Sequence, residues 1–167
     1  ISADAVNEYM DRLGLTRTRS MRKVRGDGTQ LKEASGWSKA GLMEENRRFG
    51  LGSSTSREMV RLVEMLVRGK VVSAAASREI LATMERQQYK DGIGRKLGEF
   101  KVASKSGALD ALRSDVALVT TQKGRIAMAI TVDGMKDIDY SEDNAGLLAI
   151  AALARELAAG AGSPVLK

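Results

Sequence analysis

From position 100 the chain reads Phe100-Lys101-Val102-Ala103-Ser104-Lys105-Ser106-Gly107, in which Phe100, Val102 and Ser104 alternate with Lys101, Ala103 and Lys105. A period of two over a short run is the mark of a half-buried strand. Further on, Val116-Ala117-Leu118-Val119 and Ile126-Ala127-Met128-Ala129-Ile130 flank Gln122-Lys123-Gly124, a hairpin pattern with a glycine in the turn. The stretch 108–114 between strand and hairpin reads as an irregular link. Three antiparallel strands are therefore expected in succession. A final segment from near Ser141 to Gly160 carries Leu147, Leu148, Ile150, Ala151, Leu153, Ala154 and Leu157. Its alanine-rich, broadly apolar surface suits a helix lying across a sheet. The closing Gly160-Ala161-Gly162-Ser163-Pro164 reads as a frayed tail.

Upstream the period changes to that of helices. Val6, Tyr9, Met10 and Leu13 are helically spaced, with Ser2 as N-cap and Gly14 as the stop. Thr55-Ser56-Arg57-Glu58 has capping-box spacing and precedes Met59, Leu62, Val63 and Leu66 on one face, ending at Gly69. Ser73 caps a second helix through Ala76, Ile80, Leu81 and Met84, and Gly92, Gly94 and Gly98 then punctuate the chain. The expected architecture is α+β: a helical portion, 1–98, containing a long basic connection, 15–54, followed by the antiparallel sheet and C-terminal helix, 99–167. So long a connection in a compact protein is more often functional than idle.

Composition narrows the chemistry. The 167 residues, 43% apolar and 29% charged, are enough for one domain with a core. With no cysteine and no histidine, disulfides, thiolate nucleophiles and the commonest metal ligand and general base are excluded, and a Ser-His-Asp triad cannot be assembled from this chain. No metal or other cofactor is expected. Proton transfer falls to lysine, carboxylate or tyrosine, or to a serine–lysine arrangement. No apolar run approaches the ~20 residues that span a bilayer, and 1–13 carries acidic groups where a signal peptide would be basic. The net charge of +6 is densest at Arg17, Arg19, Arg22, Lys23 and Arg25, then Lys32. Without the aromatic residues on which bases stack, that run reads as a solvated surface and a nucleic-acid partner is not expected. The Arg25-Gly26-Asp27 tripeptide within it is too short to support an adhesion role.

Lys105-Ser106-Gly107 alone is a weak signal, usually a surface lysine before a turn. Its setting is more specific: paired helices, a glycine-punctuated link, the tripeptide, Ser114-Asp115-Val116 opening the next strand, a hairpin and a final alanine-rich helix. This order resembles the penicillin-recognising serine hydrolases, most closely the C-terminal portion of class A β-lactamase-like members. The resemblance covers nearly the whole chain, from the first helix to Gly160. It implies an incomplete β-lactamase/transpeptidase-like fold and a small-molecule substrate with a β-lactam or peptide-like bond. It also implies a periplasmic or secreted setting.

By the same resemblance Lys105 supplies positive potential, and the Ser106 hydroxyl binds a substrate carboxylate within the Lys-Ser-Gly box completed by Gly107. The N–H of Ala108 supplies an oxyanion-hole donor, and Arg113 pairs with the carboxylate. Two departures accompany the match. The family's serine-x-x-lysine nucleophile is matched by letters only at Ser20-Met21-Arg22-Lys23, outside the family's position for it, so the nucleophile and the serine-aspartate-asparagine box are expected upstream of Ile1. Glu44-Glu45-Asn46-Arg47-Arg48-Phe49 does not reproduce the deacylating glutamate pattern, and Glu44 and Glu45 read as solvent-facing ahead of water-activating. An exposed sheet edge is expected to draw in the missing N-terminal segment or a second copy. A non-catalytic ligand-binding module and, behind it, a basic nucleic-acid binder are the competing classes.

Overall fold

The computed structural model describes residues 1–23 and 35–160. Arg25, Lys32, the Arg25-Gly26-Asp27 tripeptide and the tail beyond Gly160 lie outside the described residues. The chain divides into two compact units, Ile1–Glu58 and Met59–Lys167.

The first unit opens with α1 (Ala3–Arg12), capped by the Ser2 hydroxyl accepting from the N–H of Ala5 at 3.1 Å, and closed by Gly14 at φ 71°. The buried face is turned from the expected stripe: Ala3 and Asn7 are buried, Tyr9, Met10 and Leu13 are half-buried, and Val6 is exposed. The reason is polar: the Asn7 carboxamide clamps the Ser20 backbone, accepting from its N–H at 2.7 Å and donating to its carbonyl at 2.9 Å. The connection 15–54 then folds into short pieces, β1 (Arg19–Ser20), β2 (Arg22–Lys23), β3 (Ser35–Trp37), α2 (Lys39–Leu42), a 3-10 turn Glu44–Phe49 and β4 (Gly52–Ser53). β1 pairs with β4 and β2 with β3. Ser38, fully buried, ties them by donating to the carbonyls of Ser20 and Met21 while capping α2. At Gly41 a Cβ would lie 2.1 Å from the Met21 carbonyl oxygen, so the approach requires glycine. In the basic stretch, Arg19 pairs with Asp11 at 2.5 Å and Arg22 stacks on Trp37.

α3 (Ser56–Val67) forms where predicted, but its capping box is half closed. Thr55 Oγ1 accepts from the Glu58 N–H, while the Glu58 carboxylate instead accepts from the Arg17 N–H and the Thr18 hydroxyl. In the second unit α4 (Ala74–Glu85) is capped by Ser73. A 3-10 turn, Ile93–Lys96, leads into β5 (Lys101–Leu109), β6 (Leu112–Thr121) and β7 (Gly124–Val132), an antiparallel sheet in the order β5-β6-β7. The expected irregular link is absent: β5 and β6 pair continuously to Leu109↔Leu112, leaving only Asp110 and Ala111 in the turn. α5 (Ala145–Gly160) starts later than Ser141 because Asn144 caps it, its Oδ1 accepting from the N–H of Gly146 at 2.8 Å.

The sheet packs on both faces. Ala117, Val119, Met128 and Ile130 meet Ile150 and Ala154 of α5 and Ile93 and Leu97 of the 3-10 turn. On the other face Ala103 and Leu118 meet Val63, with Leu81 and Met84 of α4 against them. Leu148, Leu153 and Leu157 of α5 are exposed. No helix of the described residues is long and apolar enough to cross a membrane.

Candidate functional site

The Lys105-Ser106-Gly107 tripeptide lies in β5, an edge strand. Side chains alternate across a sheet, and register partners share a face, so Ser106 sits beside Asp115 and Ala108 beside Arg113. A two-residue turn closes on a hydrogen-bonded pair, here Leu109 with Leu112, and such pairs alternate with non-bonded ones. Ala108 and Ser106 fall at non-bonded positions. Their N–H and carbonyl groups therefore point away from β6 toward the open edge.

On this face a cleft of about 290 Å³ is lined by Ser106, Gly107, Ala108, Arg113, Tyr89, Asp91, Gly92, Tyr140 and Leu147. Four of the residues singled out in the sequence thus come together: Ser106, Gly107, Ala108 and Arg113. Lys105 does not line the cleft. Its side chain leaves the opposite face, in the neighbourhood of Thr83 and Met84, and its Nζ comes round to the Ser106 carbonyl at 2.5 Å. The ammonium therefore contributes positive potential at the edge rather than a cleft wall.

Arg113 is 1% exposed, and its guanidinium donates to the carbonyls of Leu109, Leu112 and Asp139. Its Cζ lies 4.6 Å from the centroid of the Tyr140 ring. The Tyr140 hydroxyl in turn donates to Asp110 Oδ1 at 2.7 Å, and that carboxylate pushes the phenol above its ordinary range. The arginine is consequently covered by a ring tethered to the β5–β6 turn.

Asp115 was named only as part of a strand opening, yet it is the most perturbed group here. It is 2% exposed, and its Oδ2 accepts from the Ile93 N–H at 2.8 Å while Oδ1 has no hydrogen-bond partner among the described residues. Burial pushes its carboxyl up to about 6, against the opposing pull of the Ile93 and Val116 N–H groups and the Lys105 charge. A Cβ on Gly92 would lie 2.5 Å from Oδ2, so this carboxylate and the cleft wall at Gly92 are fitted to each other. The signal was present in the sequence, since Asp115 shares the parity of Ala117 and Val119. Tyr89 and Tyr140 had no comparable signal, because they lie outside the strands.

In the first unit, Ser20 and Lys23 occupy separate short extended segments, not one turn of helix. The backbone of Ser20 is engaged by Asn7 and Ser38. Glu44 is exposed and pairs with Arg47 at 3.0 Å, and Glu45 is exposed. No group of His, Cys, Asp and Glu among the described residues is arranged to hold a metal ion.

An α+β chain with a lysine-serine-glycine edge strand beside a cleft and a helix across the sheet has the architecture of the β-lactamase-like serine hydrolases. Residues 1–160 match the beta-lactamase enzyme family, and the chain belongs to that family. Similar solved structures include a beta-lactamase from Sphaerobacter thermophilus DSM 20745, 23% identical, TM-score 0.72, covering 97% of this chain and 55% of that one. A beta-lactamase from Chitinophaga pinensis DSM 2588 is 20% identical, TM-score 0.69, with 95% and 55% covered. The protein PBP-A is 18% identical, TM-score 0.68, with 93% and 49% covered. The chain thus spans about half the length of these structures. No curated protein sequence matches it.

Proposed function

We propose that the full-length protein carrying this chain is a class A-like acyl-transfer serine hydrolase acting on a β-lactam amide or a related ester or peptide bond, and that this chain supplies its substrate-recognition edge. The observation that carries the reading is β5: an edge strand that turns the Ala108 N–H outward and sets the Ser106 hydroxyl on the cleft. A serine outside this chain attacks the carbonyl carbon, the bond to the leaving nitrogen or oxygen breaks, and the departing group takes a proton. Ala108 N–H donates to the oxygen on which negative charge develops, which is where a fixed donor lowers the barrier most. Ser106 donates to the substrate carboxylate, and the Lys105 ammonium and the Arg113 guanidinium add positive potential.

Intact-mass measurement of the full-length protein after exposure to benzylpenicillin tests this. A penicilloyl adduct that forms about 10²-fold more slowly in Lys105→Ala and Ser106→Ala is expected, the size seen when an electrostatic contributor to acyl transfer is removed. Reversible binding with no mass increase in the wild type would instead establish a non-catalytic ligand-binding module. The solvent-facing Glu44 and Glu45 favour slow release of the acyl group over rapid turnover.

Self-association or completion by another segment belongs to the same proposal. β7 is the second edge of the sheet, and on α5 Leu153 and Leu157, one turn apart, are exposed, as is Leu148 on another side of the helix. Unpaired strand edges and exposed apolar pairs of this kind are often covered in complete folds. The remainder of the parent fold, or a swapped copy of this chain, would cover both. Sedimentation of the isolated chain as a monomer at high concentration would remove the swapped copy.

A further inference from the structure

Arg113 is a buried cation with no carboxylate within 4 Å among the described residues, although buried charges are normally ion-paired. Its charge is met by three backbone carbonyls and by the face of one ring. That ring belongs to Tyr140, which is 60% exposed and stands at the cleft. It is held over the guanidinium by a single side-chain bond, from its hydroxyl to Asp110. Arg113 and Tyr140 line the same cleft with the ring against the guanidinium, so a ligand anion that engages the guanidinium there contests the place of the ring.

We infer that Tyr140 is a specificity-determining residue of the cleft, its ring competing with a ligand carboxylate for the Arg113 guanidinium. The inference rests on the reading of the cleft as the recognition site and deepens it by naming the ligand class. Asp91 lines the cleft, Asp110 holds the phenol, and the Asp139 carboxylate lies close enough to feel the Arg113 charge. These acidic groups oppose a second negative charge on the ligand. Tyr89, Leu147, Ala108 and Gly92 offer apolar surface around them. The ligand that fits is a monoanion whose apolar or aromatic body packs on Tyr89, Leu147 and Ala108.

Phenylacetate is a probe of this class that acylates nothing, and phenylacetamide is its neutral counterpart. Binding of each to the full chain is followed by NMR through the Arg113 Nε–H signal, assigned by its loss in Arg113→Lys. Tyr140→Ala is expected to bind phenylacetate about tenfold more tightly than the wild type, the worth of a cation–π contact and one hydrogen bond together. Its binding of phenylacetamide is expected to stay the same or weaken. Tyr140→Phe leaves the ring and the Asp110 charge in place and removes the tether, and is expected to show a gain of a few fold in the same direction. Unchanged or weaker phenylacetate binding in both variants, or an equal change for both probes, overturns the inference. Because the probe cannot form an acyl-enzyme, failure of the full-length protein to take up penicillin would sink the hydrolase reading and leave the Tyr140 result standing.

Discussion

Replacing Asp115 with asparagine isolates the cost of keeping a carboxylate under the sheet. The side chain is 2% exposed, and its carboxyl is raised from 3.8 to about 6. The folded chain therefore holds this proton more tightly than the unfolded chain does. Stability contributed by the group is present at low pH and is lost as pH rises from about 4 through about 6, the reverse of a salt-bridged aspartate. A difference of about two units corresponds to about 3 kcal/mol between the ends of that window. Asparagine keeps the oxygen that accepts from Ile93 and does not titrate. Urea unfolding of both proteins at a series of pH values should show the variant gaining on the wild type across the window. Near pH 7.5 the expected net gain is about 1–2 kcal/mol, because the bond to Ile93 loses its charge and the new amide needs a partner. A stability difference that stays flat with pH would show that the carboxyl titrates alike in the folded and unfolded chain, and one that favours the wild type increasingly as pH rises would show that Asp115 is stabilised as an anion; either refutes the reasoning.

Other substitutions test separate parts of the structure. Gly92→Ala sets a Cβ 2.5 Å from the Asp115 carboxylate and should cost about 1–3 kcal/mol in denaturant unfolding. Asn7→Ala leaves the Ser20 N–H and carbonyl without their partner and should cost about 1–3 kcal/mol by the same measurement. Val72, at φ 60° and 75% exposed, is a β-branched residue in the left-handed region, so Val72→Gly should raise stability by about 1 kcal/mol. Ser20→Ala should leave penicillin acylation of the full-length protein unchanged, as read by intact mass; loss of the adduct would make Ser20 the nucleophile.

The second unit was legible in the sequence wherever a single period ran long enough. The alternation around Val102 and the two apolar runs flanking Gln122-Lys123-Gly124 foretold the sheet, and the alanine-rich run from near Ser141 foretold α5. In the first unit α1 and its ends were legible, but the connection after it was not, because it is organised by polar groups rather than by a stripe. Asn7 and Ser38 do the joining there, and neither fits a periodicity argument. The capping box at Thr55 failed in half for a similar reason: Glu58 found partners distant in sequence that no local pattern names. Within the cleft, Ser106 and Ala108 were named from the resemblance of the Lys-Ser-Gly box alone, with Ala108 expected in an irregular link and not in the strand. The tyrosines were not named, since their places depend on how 86–92 and 133–144 return to the sheet.

β6 contributes Ala117 and Val119 to one packed layer and Leu118 to the other, and it is hydrogen-bonded on both sides. Amides at its centre should exchange with solvent only when the whole unit opens, whereas those of 133–144, which lie outside helices and strands, should exchange through local fluctuations. Arg113 and Asp115 ride on the slow element and Tyr140 on the fast one. The cleft is therefore asymmetric in time: one wall keeps its shape for as long as the unit stays folded, and adjustment to differently shaped ligands falls to the other.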